Sequence, residues 1–546
     1  MLTVAAPAAA VRDPAAAIDM LFATYGMPGS PGVAVGVFRD GQPLVLRGYG
    51  LANLEYPAPI TTTTIFNTGS VSKQFTAFCI ALLAREGKLK LDDDIRTYLP
   101  WMPRYPRPIT IANLLHHTSG LRDYIALADL IGMDDGALVR QQQAMNLLAR
   151  QRGLEFETGT RYAYSNSGYA LLAEIVRVVS GQSLGAFAAA RIFKPLGMAH
   201  TRVRDQLSEF VPNSASGYEP DQGGTWLRAV YNRETIGPGN VLSSVEDLAK
   251  WAENFLSPTV GDRALIDELT APGLLSDGTS INYGFGLYKQ RFAGHEAVTH
   301  TGEVPGFMAI VAVFPAERLS VVLLSNVPVE LEELMDGVAA IFMGTDAMPP
   351  AARIVRLKPA RLASLAGDFA GPSGNLLSLQ VQNGTLRTMD ASGNVLEDLE
   401  YRLDGAWGEH VGLMSMRPIL EGRKLIGWTR TAGGVDGAGA PPRAYRRVDR
   451  VRPSVEELQS LCGNYYSEEL DATYTLYLDG SRLAIRSVWY IEPQILTPTF
   501  ADHFDGVEGS HADLTIGIER DAKGVVSGIV LHYPDADGIH LRRSVP

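Results

Sequence analysis

The sequence contains 546 residues, of which 46% are hydrophobic and 20% are charged. This balance is typical of globular domains and excludes disorder for most of the chain. Its 48 Lys and Arg residues and 60 Asp and Glu residues give a formal net charge of −12. Since a nucleic-acid-binding surface needs a basic footprint, no nucleic-acid partner is expected.

Cysteine content and hydropathy exclude two further classes of protein, those built on cysteine frameworks and those that span a membrane. Cys79 and Cys462 are too few and too far apart for a disulfide framework or a four-cysteine metal site. No apolar run approaches the roughly 18 residues of a membrane-spanning helix, so no membrane partner is expected. Residues 1–10 are Ala-rich and lack a basic side chain, which favours a disordered tail over a trimmed export signal. We expect a cytoplasmic protein, with the periplasm as the alternative.

The first 345 residues mix strand and helix patterns. Residues 33–38 and 44–49 are β-rich runs around Asp40-Gly41, which predicts a hairpin. Residues 66–88 predict a helix, because apolar side chains recur at helical spacing.

Further elements follow along the same region. A second helix is predicted over residues 167–180, where a glycine stands at the expected end. Three β-rich runs at 297–301, 307–314 and 319–326 then predict a closing antiparallel meander, with a turn at 315–318. Helices packed on such a sheet indicate an α+β body.

After residue 344 the pattern changes to short β-rich runs, beginning with a linker over residues 347–357. Residues 365–369 match 461–465, and residues 445–447 match 541–543 at the same offset. Equal offsets at both ends predict two copies of one all-β unit, each a small antiparallel barrel. The predicted domains are a catalytic domain at 13–345 and β-barrels at 355–450 and 453–546.

The first motif with candidate chemistry is Ser70-Val71-Ser72-Lys73, at the start of the first predicted helix. Residues three apart share a helix face, so the Lys73 amine can reach the Ser70 hydroxyl. A hydroxyl becomes a good nucleophile only when a neighbouring base takes its proton, and a helix N-terminus offers N–H groups to an oxyanion. The alternative is that Ser70 merely caps the helix and Lys73 is solvated.

The second motif, Tyr164-Ser165-Asn166, precedes the second helix. A phenol placed beside a lysine can shuttle protons, whereas the simpler interpretation is a loop tyrosine ahead of a helix cap.

The third motif is His300-Thr301-Gly302, on the first strand of the meander. Gly302 would let a substrate backbone approach that strand closely, and the backbone N–H of Glu303 is a candidate oxyanion donor. A histidine on a strand is also compatible with a purely structural role.

The order of these motifs resembles that of the penicillin-recognising serine hydrolases. This family includes class C β-lactamases, D-aminopeptidases, D-alanyl-D-alanine carboxypeptidases and family VIII esterases. Residues 114–121 and 283–287 are similar to the family's segments ahead of its second and third motifs, and the resemblance covers about residues 15–345.

The resemblance implies both a fold and roles for residues. The implied fold is a β-lactamase or penicillin-binding-protein-like domain, with a five-stranded antiparallel sheet flanked by helices. The implied mechanism proceeds through an acyl-enzyme on the serine, with a lysine and a tyrosine as the proton-transfer pair and a histidine in place of the third motif's lysine. Which member of the pair acts as the base stays open. The implied catalytic residues are Ser70, Lys73, Tyr164 and His300. The implied substrate-binding and oxyanion residues are Asn166, Gly302 and Glu303.

The two C-terminal repeats resemble the architecture of bacterial D-aminopeptidases. Two departures argue against strict dependence on a free amine: residues 236–240 lack an acid, and residues 500–512 form a short loop. The same architecture is similar to the peptidases that open linearised microcystin after its D-alanine. The expected partner is therefore a small peptide with a D-residue, D-alanine first, and linearised microcystin is a candidate. A D-aminopeptidase and a family VIII-type carboxylesterase are the alternatives.

No cofactor and no metal are expected. Residues 295–300 hold two histidines five apart on a strand pattern, whereas the zinc-peptidase motif needs them four apart on a helix. A non-catalytic binding protein that kept the fold is the opposing class, which the complete motif set disfavours. The oligomeric state stays open, and a homodimer is one option.

Overall fold

A computed structural model describes residues 13–133, 136–345, 355, 357–401, 406–408, 414–422, 424–432, 442–487, 494–508 and 514–544. The predicted tail at residues 1–10 and nearly all of the linker at 347–357 lie outside these residues. Part of the 500–512 loop also lies outside them. Among the described residues, no single helix is long and apolar enough to cross a bilayer, although the bent pair Asn166–Ser180 and Leu184–Leu196 passes that test jointly.

The catalytic domain is built on one antiparallel sheet, whose strands are β1 (Val33–Arg39), β2 (Gln42–Tyr49), β3 (Tyr288–Phe292), β4 (His295–Val304), β5 (Phe307–Phe314) and β6 (Leu319–Ser325). In the described chain the sheet has six strands in the order β3-β4-β5-β6-β1-β2. The expectation of a five-stranded sheet was therefore wrong by one strand. The edge strand β3 carries no sequence pattern that predicted it. Asp40 and Gly41, with φ of 52° and 72°, form the predicted turn between β1 and β2.

Helices cover both faces of this sheet and account for its apolar strands. The residues of β6 are buried throughout, as expected for a strand packed on both sides. The helices of the domain are α1 (Pro14–Leu21), α2 (Ser72–Arg85), α3 (Ile111–Leu115), α4 (Tyr124–Leu130), α5 (Gln141–Arg150), α6 (Asn166–Ser180), α7 (Leu184–Ala188), α8 (Lys194–Leu196), α9 (Val245–Leu256), α10 (Arg263–Thr270) and α11 (Leu331–Met343). Helix α9 contacts one face, while α1 and α11 pack together on the other side.

Helix α6 ends at Gly181 with φ of 72°, as its glycine predicted. Helix α2 begins later than the sequence pattern indicated. The predicted helix over 66–88 starts only at Ser72, because Phe66–Asn67 pairs as a short strand with Val241–Ser243. A single 3₁₀ turn, Gly69–Val71, lies between that strand and the helix. The remaining short strands are Leu51–Asn53, Ala58–Pro59, Val139–Arg140, Arg202–Val203, Tyr218–Pro220, Trp226–Arg228 and Arg233–Glu234.

The C-terminal part forms two closed antiparallel barrels. The first contains β7 (Gly367–Ala370), β8 (Leu376–Gln382), β9 (Thr385–Met389), β10 (Val395–Tyr401), β11 (Trp407–Gly408), β12 (Met414–Glu421), β13 (Lys424–Ala432) and β14 (Arg443–Val448). The second contains β15 (Gly463–Ser467), β16 (Ala472–Asp479), β17 (Arg482–Ser487), β18 (Gln494–Pro498), β19 (His503–Glu508), β20 (Thr515–Arg520), β21 (Val526–Tyr533) and β22 (Ala536–Arg543).

The matching ends of the two repeats meet in space within each barrel. Arg447 lies 5.0 Å from the ring centroid of Phe369, and Arg543 lies 5.9 Å from that of Tyr465. The sequence repeat thus preserves the strand pair that closes each barrel. The expectation of purely β units was incomplete, since a short helix precedes each barrel: α12 (Pro359–Ala363) and α13 (Val455–Leu461).

Candidate active site

Ser70 lies in the 3₁₀ turn that leads into α2, and Lys73 lies one turn further on. The Lys73 Nζ donates to Ser70 Oγ at 3.0 Å and to Asn166 Oδ1 at 2.8 Å. It also donates to the carbonyl of Pro238 at 3.2 Å. Because Lys73 is fully buried, these acceptors hold its amine in one position. The structure therefore brings together three of the residues that the motifs predicted.

Tyr164 closes the same group from the side of α6. The Lys73 Nζ lies 4.5 Å from the centroid of the Tyr164 ring. Tyr164, Ser70 and Asn166 all line one cleft. A phenol, an amine and a hydroxyl thus lie together at this site, with the amine over the face of the phenol ring.

The strand β4 supplies the opposite wall. Strand β3 pairs with β4 only as far as Thr299, which leaves the following residues of β4 free to lie against the turn of Ser70. A Cβ on Gly302 would stand 2.8 Å from the Ser70 backbone nitrogen, and one on Gly69 would stand 2.6 Å from that of Glu303. The two backbones approach closely because both positions are glycine. The N–H groups of Ser70 and Glu303 are consequently neighbours, as an oxyanion site requires.

His300 is only 1% exposed and does not line the cleft. Its Nε2 lies 3.0 Å from the Tyr283 hydroxyl, and its Nδ1 is bonded to the Thr301 carbonyl. Nδ1 therefore carries the proton and Nε2 accepts from the phenol. Burial, aided by the charge of Lys73, lowers the pKa of His300 to about 3. In this arrangement a neutral His300 supports the wall of the site through Tyr283.

His117 is a site residue that sequence reasoning missed. It is buried with φ of 56°, and its Nδ1 accepts from the backbone N–H of Ser165 at 3.0 Å. Its ring lies 4.4 Å from that of Tyr164 and 4.6 Å from that of Tyr283, between centroids. Burial lowers its pKa well below the usual value, so the ring is a neutral spacer that positions the tyrosines. The only sequence signal was its place within residues 114–121.

Asp123 is the second missed residue. Its buried carboxylate accepts from the backbone N–H of Ile125 and from that of Asn166, and it thereby caps α4 and fixes the start of α6. Burial raises the pKa of this carboxyl. The backbone N–H of Asp123 donates to the carbonyl of Asp535, in the second barrel, at 2.6 Å. Asn166, whose side-chain amide accepts from Lys73, is thus held in place through Asp123 by a residue of the second barrel.

The preceding residue, Arg122, makes the main polar contact between these domains. Its guanidinium, 2% exposed, pairs with Glu469 at 3.1 Å. It also donates to the carbonyls of Asp537 and Gly538, each at 2.7 Å. The second barrel is therefore docked directly behind the active-site loop.

The cleft has a volume of about 440 Å³. The residues that line it include Glu219, Glu303 and Arg233, and the guanidinium of Arg233 pairs with Asp129 at 3.2 Å. Two acidic residues thus lie at the cleft, one on the strand Tyr218–Pro220 and one on β4, although residues 236–240 contain no acid. Glu303 was predicted as a site residue only for its backbone N–H.

The two histidines of residues 295–300 point to different partners. His295 contacts Glu317 at 2.8 Å, whereas His300 contacts Tyr283. Within the described ranges, no three His, Cys, Asp or Glu side chains form a group that could hold a metal ion.

The chain resembles known proteins in sequence and in fold. The family model described as Beta-lactamase matches residues 18–342. A D-aminopeptidase of Brucella anthropi is 27% identical over 528 residues, covering 94% of this chain and 96% of its own. A D-aminopeptidase of Gluconobacter oxydans is 34% identical over 313 residues, covering 57% and 58%.

Two solved structures share the fold. The octameric penicillin-binding protein homologue from Pyrococcus abyssi covers 79% of this chain and 99% of its own, with a TM-score of 0.55 and 22% identity. The D-amino acid amidase from Ochrobactrum anthropi, complexed with D-phenylalanine, covers 60% and 98%, with a TM-score of 0.51 and 23% identity.

Proposed function

The chain belongs to the Beta-lactamase family and is a serine hydrolase of the peptidase and amidase type, and on that premise we propose that it cleaves the amide bond after a D-residue in a short linear peptide. The observation that carries the proposal is the buried amine of Lys73, held 3.0 Å from a hydroxyl that opens onto the cleft. A binding protein would have no need for that contact.

The proposed reaction proceeds through an acyl-enzyme. Ser70 Oγ attacks the carbonyl carbon and loses its proton to the Lys73–Tyr164 pair, while the oxyanion accepts from the N–H groups of Ser70 and Glu303. The C–N bond breaks as the pair returns the proton to the leaving amine. Water then attacks the ester carbonyl and gives its proton to the same pair. The ester C–O bond breaks as the pair returns that proton to Ser70 Oγ, which releases the acid and restores the free serine. Asn166 Oδ1 keeps the amine of Lys73 aligned through both steps.

The D-preference is supported by the D-aminopeptidases that this chain resembles over most of its length or over the family domain. D-alanine is the acyl residue we expect. Linearised microcystin, with an internal D-alanine, is the peptide we would test first.

A strict D-aminopeptidase is the second candidate. The carboxylates of Glu219 and Glu303 favour it, because an acid in the cleft can bind a free ammonium group next to the scissile bond.

The test compares kcat/KM for paired peptides that differ only in the chirality of the acyl residue, each with a free and with an acetylated N-terminus. We expect hydrolysis of the D-peptides in both forms and little hydrolysis of the L-peptides. Equal rates for D and L would contradict the proposal. A strict need for the free amine would select the aminopeptidase, and turnover of p-nitrophenyl esters alone would select the esterase.

A further inference from the structure

Pro238 and Gly239 line the active-site cleft, and hydrogen bonds on both sides of them hold their backbone in place. The carbonyl of Pro238 accepts from Lys73 Nζ at 3.2 Å, and the same amine donates to Ser70 Oγ at 3.0 Å. On the other side, the buried amide of Asn240 donates to two backbone carbonyls, at 2.8 and 3.0 Å. Position 239 is therefore fixed beside the nucleophile.

Gly239 is a glycine that neither the backbone nor the packing requires. Its φ lies outside the left-handed region, and a Cβ built on it would meet only the Tyr231 hydroxyl, at 3.8 Å, among the described atoms. By contrast, Gly237 has φ of 105°, and a Cβ there would lie 2.3 Å from the carbonyl oxygen of Tyr169. Glycine loses more conformational freedom on folding than any other residue, so alanine at position 239 would favour the folded state. The fold therefore does not explain this glycine, whereas the open cleft in front of it does.

The wall that contains Gly239 is the one left for the acyl residue of the substrate. In the proposed reaction the oxyanion accepts from the N–H groups of Ser70 and Glu303, which places the carbonyl oxygen toward β4. The leaving amine must reach the pair formed by Lys73 and Tyr164 in order to receive its proton. The acyl residue takes the remaining direction from the carbonyl carbon.

The cleft has room there for a side chain larger than a methyl group. Its volume is about 440 Å³, whereas a cavity of roughly 150 Å³ holds a benzene ring. The hydroxyls of Tyr124 and Thr235, which also line the cleft, are hydrogen-bonded to each other at 2.6 Å. An apolar side chain can therefore lie against these residues without leaving either hydroxyl unpaired.

We propose that Gly239 is the specificity-determining position of the acyl subsite, and that its missing side chain lets the enzyme accept D-residues larger than alanine. This inference rests on the proposed function, because it takes the acyl group to be a D-residue of the cleaved peptide. It adds leucine-sized and phenylalanine-sized D-residues to the expected substrates.

The test measures kcat/KM of the full-length protein for linear peptides in which D-alanine, D-leucine or D-phenylalanine precedes the scissile bond. Each peptide is made with glycine and with phenylalanine as the leaving residue. One methylene group against a pocket wall changes kcat/KM by roughly 10–200-fold. We expect the wild type to cleave the D-phenylalanine and D-alanine peptides within about tenfold of each other, and Gly239→Val to lower this ratio by at least about tenfold. Gly239→Ala should lower the ratio by less, and it replaces the valine variant if that variant does not fold.

Gly26→Ala and Gly26→Val are the matched controls. A Cβ on Gly26 would also meet one atom at 3.8 Å, on Tyr49, and Gly26 does not line the cleft. Both controls should keep the wild-type ratio. The inference would be overturned by a wild type that rejects D-phenylalanine, by an unchanged ratio in the folded Gly239 variants, or by an effect that follows the leaving residue.

A second measurement separates this inference from the proposed function. It compares the rates at which p-nitrophenyl esters of methylphosphonate and benzylphosphonate inactivate each protein by labelling Ser70. If D- and L-peptides are cleaved equally while Gly239→Val selectively slows the benzylphosphonate, the proposed function fails and the subsite stands. If D-peptides alone are cleaved and Gly239→Val changes neither ratio, the subsite fails and the proposed function stands.

Discussion

Glu469, in the second barrel, is the group whose loss should most weaken the contact between that barrel and the catalytic domain. Its carboxylate is 10% exposed, pairs with Arg122 at 3.1 Å, and accepts from the backbone N–H groups of Arg152 and Gly153. Removing one partner of a buried ion pair costs about 3–5 kcal/mol, because the other charge stays buried. In Glu469→Gln the guanidinium keeps its carbonyl acceptors and the amide oxygen replaces one carboxylate oxygen. We therefore expect the free energy of unfolding to fall by an amount near the lower end of this range, about 3 kcal/mol.

The assay is urea unfolding of the full chain, followed by circular dichroism, together with limited proteolysis between the domains. The neighbouring Glu468→Gln is the matched control, because Glu468 is 72% exposed and lies 4.0 Å from Arg542, which is 88% exposed. An exposed ion pair of this kind contributes little to stability, so the urea midpoint of Glu468→Gln should match that of the wild type. If Glu469→Gln and Glu468→Gln shifted the midpoint equally, the assignment of the buried pair as the main interdomain contact would be refuted.

Three further predictions concern the site itself. Ser70→Ala should keep the folded spectrum and lower turnover by several orders of magnitude, and a folded variant with near wild-type rate would refute the mechanism. Incubation with EDTA or phenanthroline should leave turnover unchanged, whereas serine-directed phosphonates should abolish it; loss that zinc restores would contradict this. Burial lowers the pKa of His116 to about 4 and that of His300 to about 3, below the unfolded value of about 6.5. Between these values the unfolded chain binds more protons at these two histidines, so their contribution to stability falls as pH falls from 6.5 to 4. The urea midpoint of His116→Gln should therefore lose less over this range than that of the wild type, and an identical pH dependence of the two proteins would contradict this.

Local features of the sequence predicted much of this molecule. The contact between Ser70 and Lys73 follows from their spacing at a helix start, and the strand at Phe307–Phe314 has its predicted bounds. The two barrels follow from the repeat, because matching segments must close matching sheets. Each of these predictions depends on residues close in sequence or on self-similarity.

The parts that were missed depend on contacts between distant segments. Helix α2 starts later than predicted because Phe66–Asn67 pairs with a strand that lies more than 170 residues away in the sequence. The side chains of Asn67 and Asn240, 173 residues apart, are also hydrogen-bonded to each other. The environment of His117 forms only when Tyr164 and Tyr169, from one segment, and Tyr283, from a distant one, pack around it. Neither spacing nor propensity encodes such contacts, since tertiary packing overrides local preference.

The second barrel and the nucleophile are joined by a short chain of hydrogen bonds. The carbonyl of Asp535 accepts from Asp123, whose carboxylate accepts from the backbone of Asn166; the side chain of Asn166 then accepts from Lys73, which donates to Ser70. A displacement of the barrel turn would therefore change the position of the Lys73 amine, which belongs to the pair that we propose takes the proton of Ser70. Proton transfer tolerates little error in distance, so a small loss of docking would reduce turnover before it reduced the stability of the catalytic domain. We therefore expect the second barrel to act as part of the catalytic unit, because it helps to hold the Lys73 amine in place.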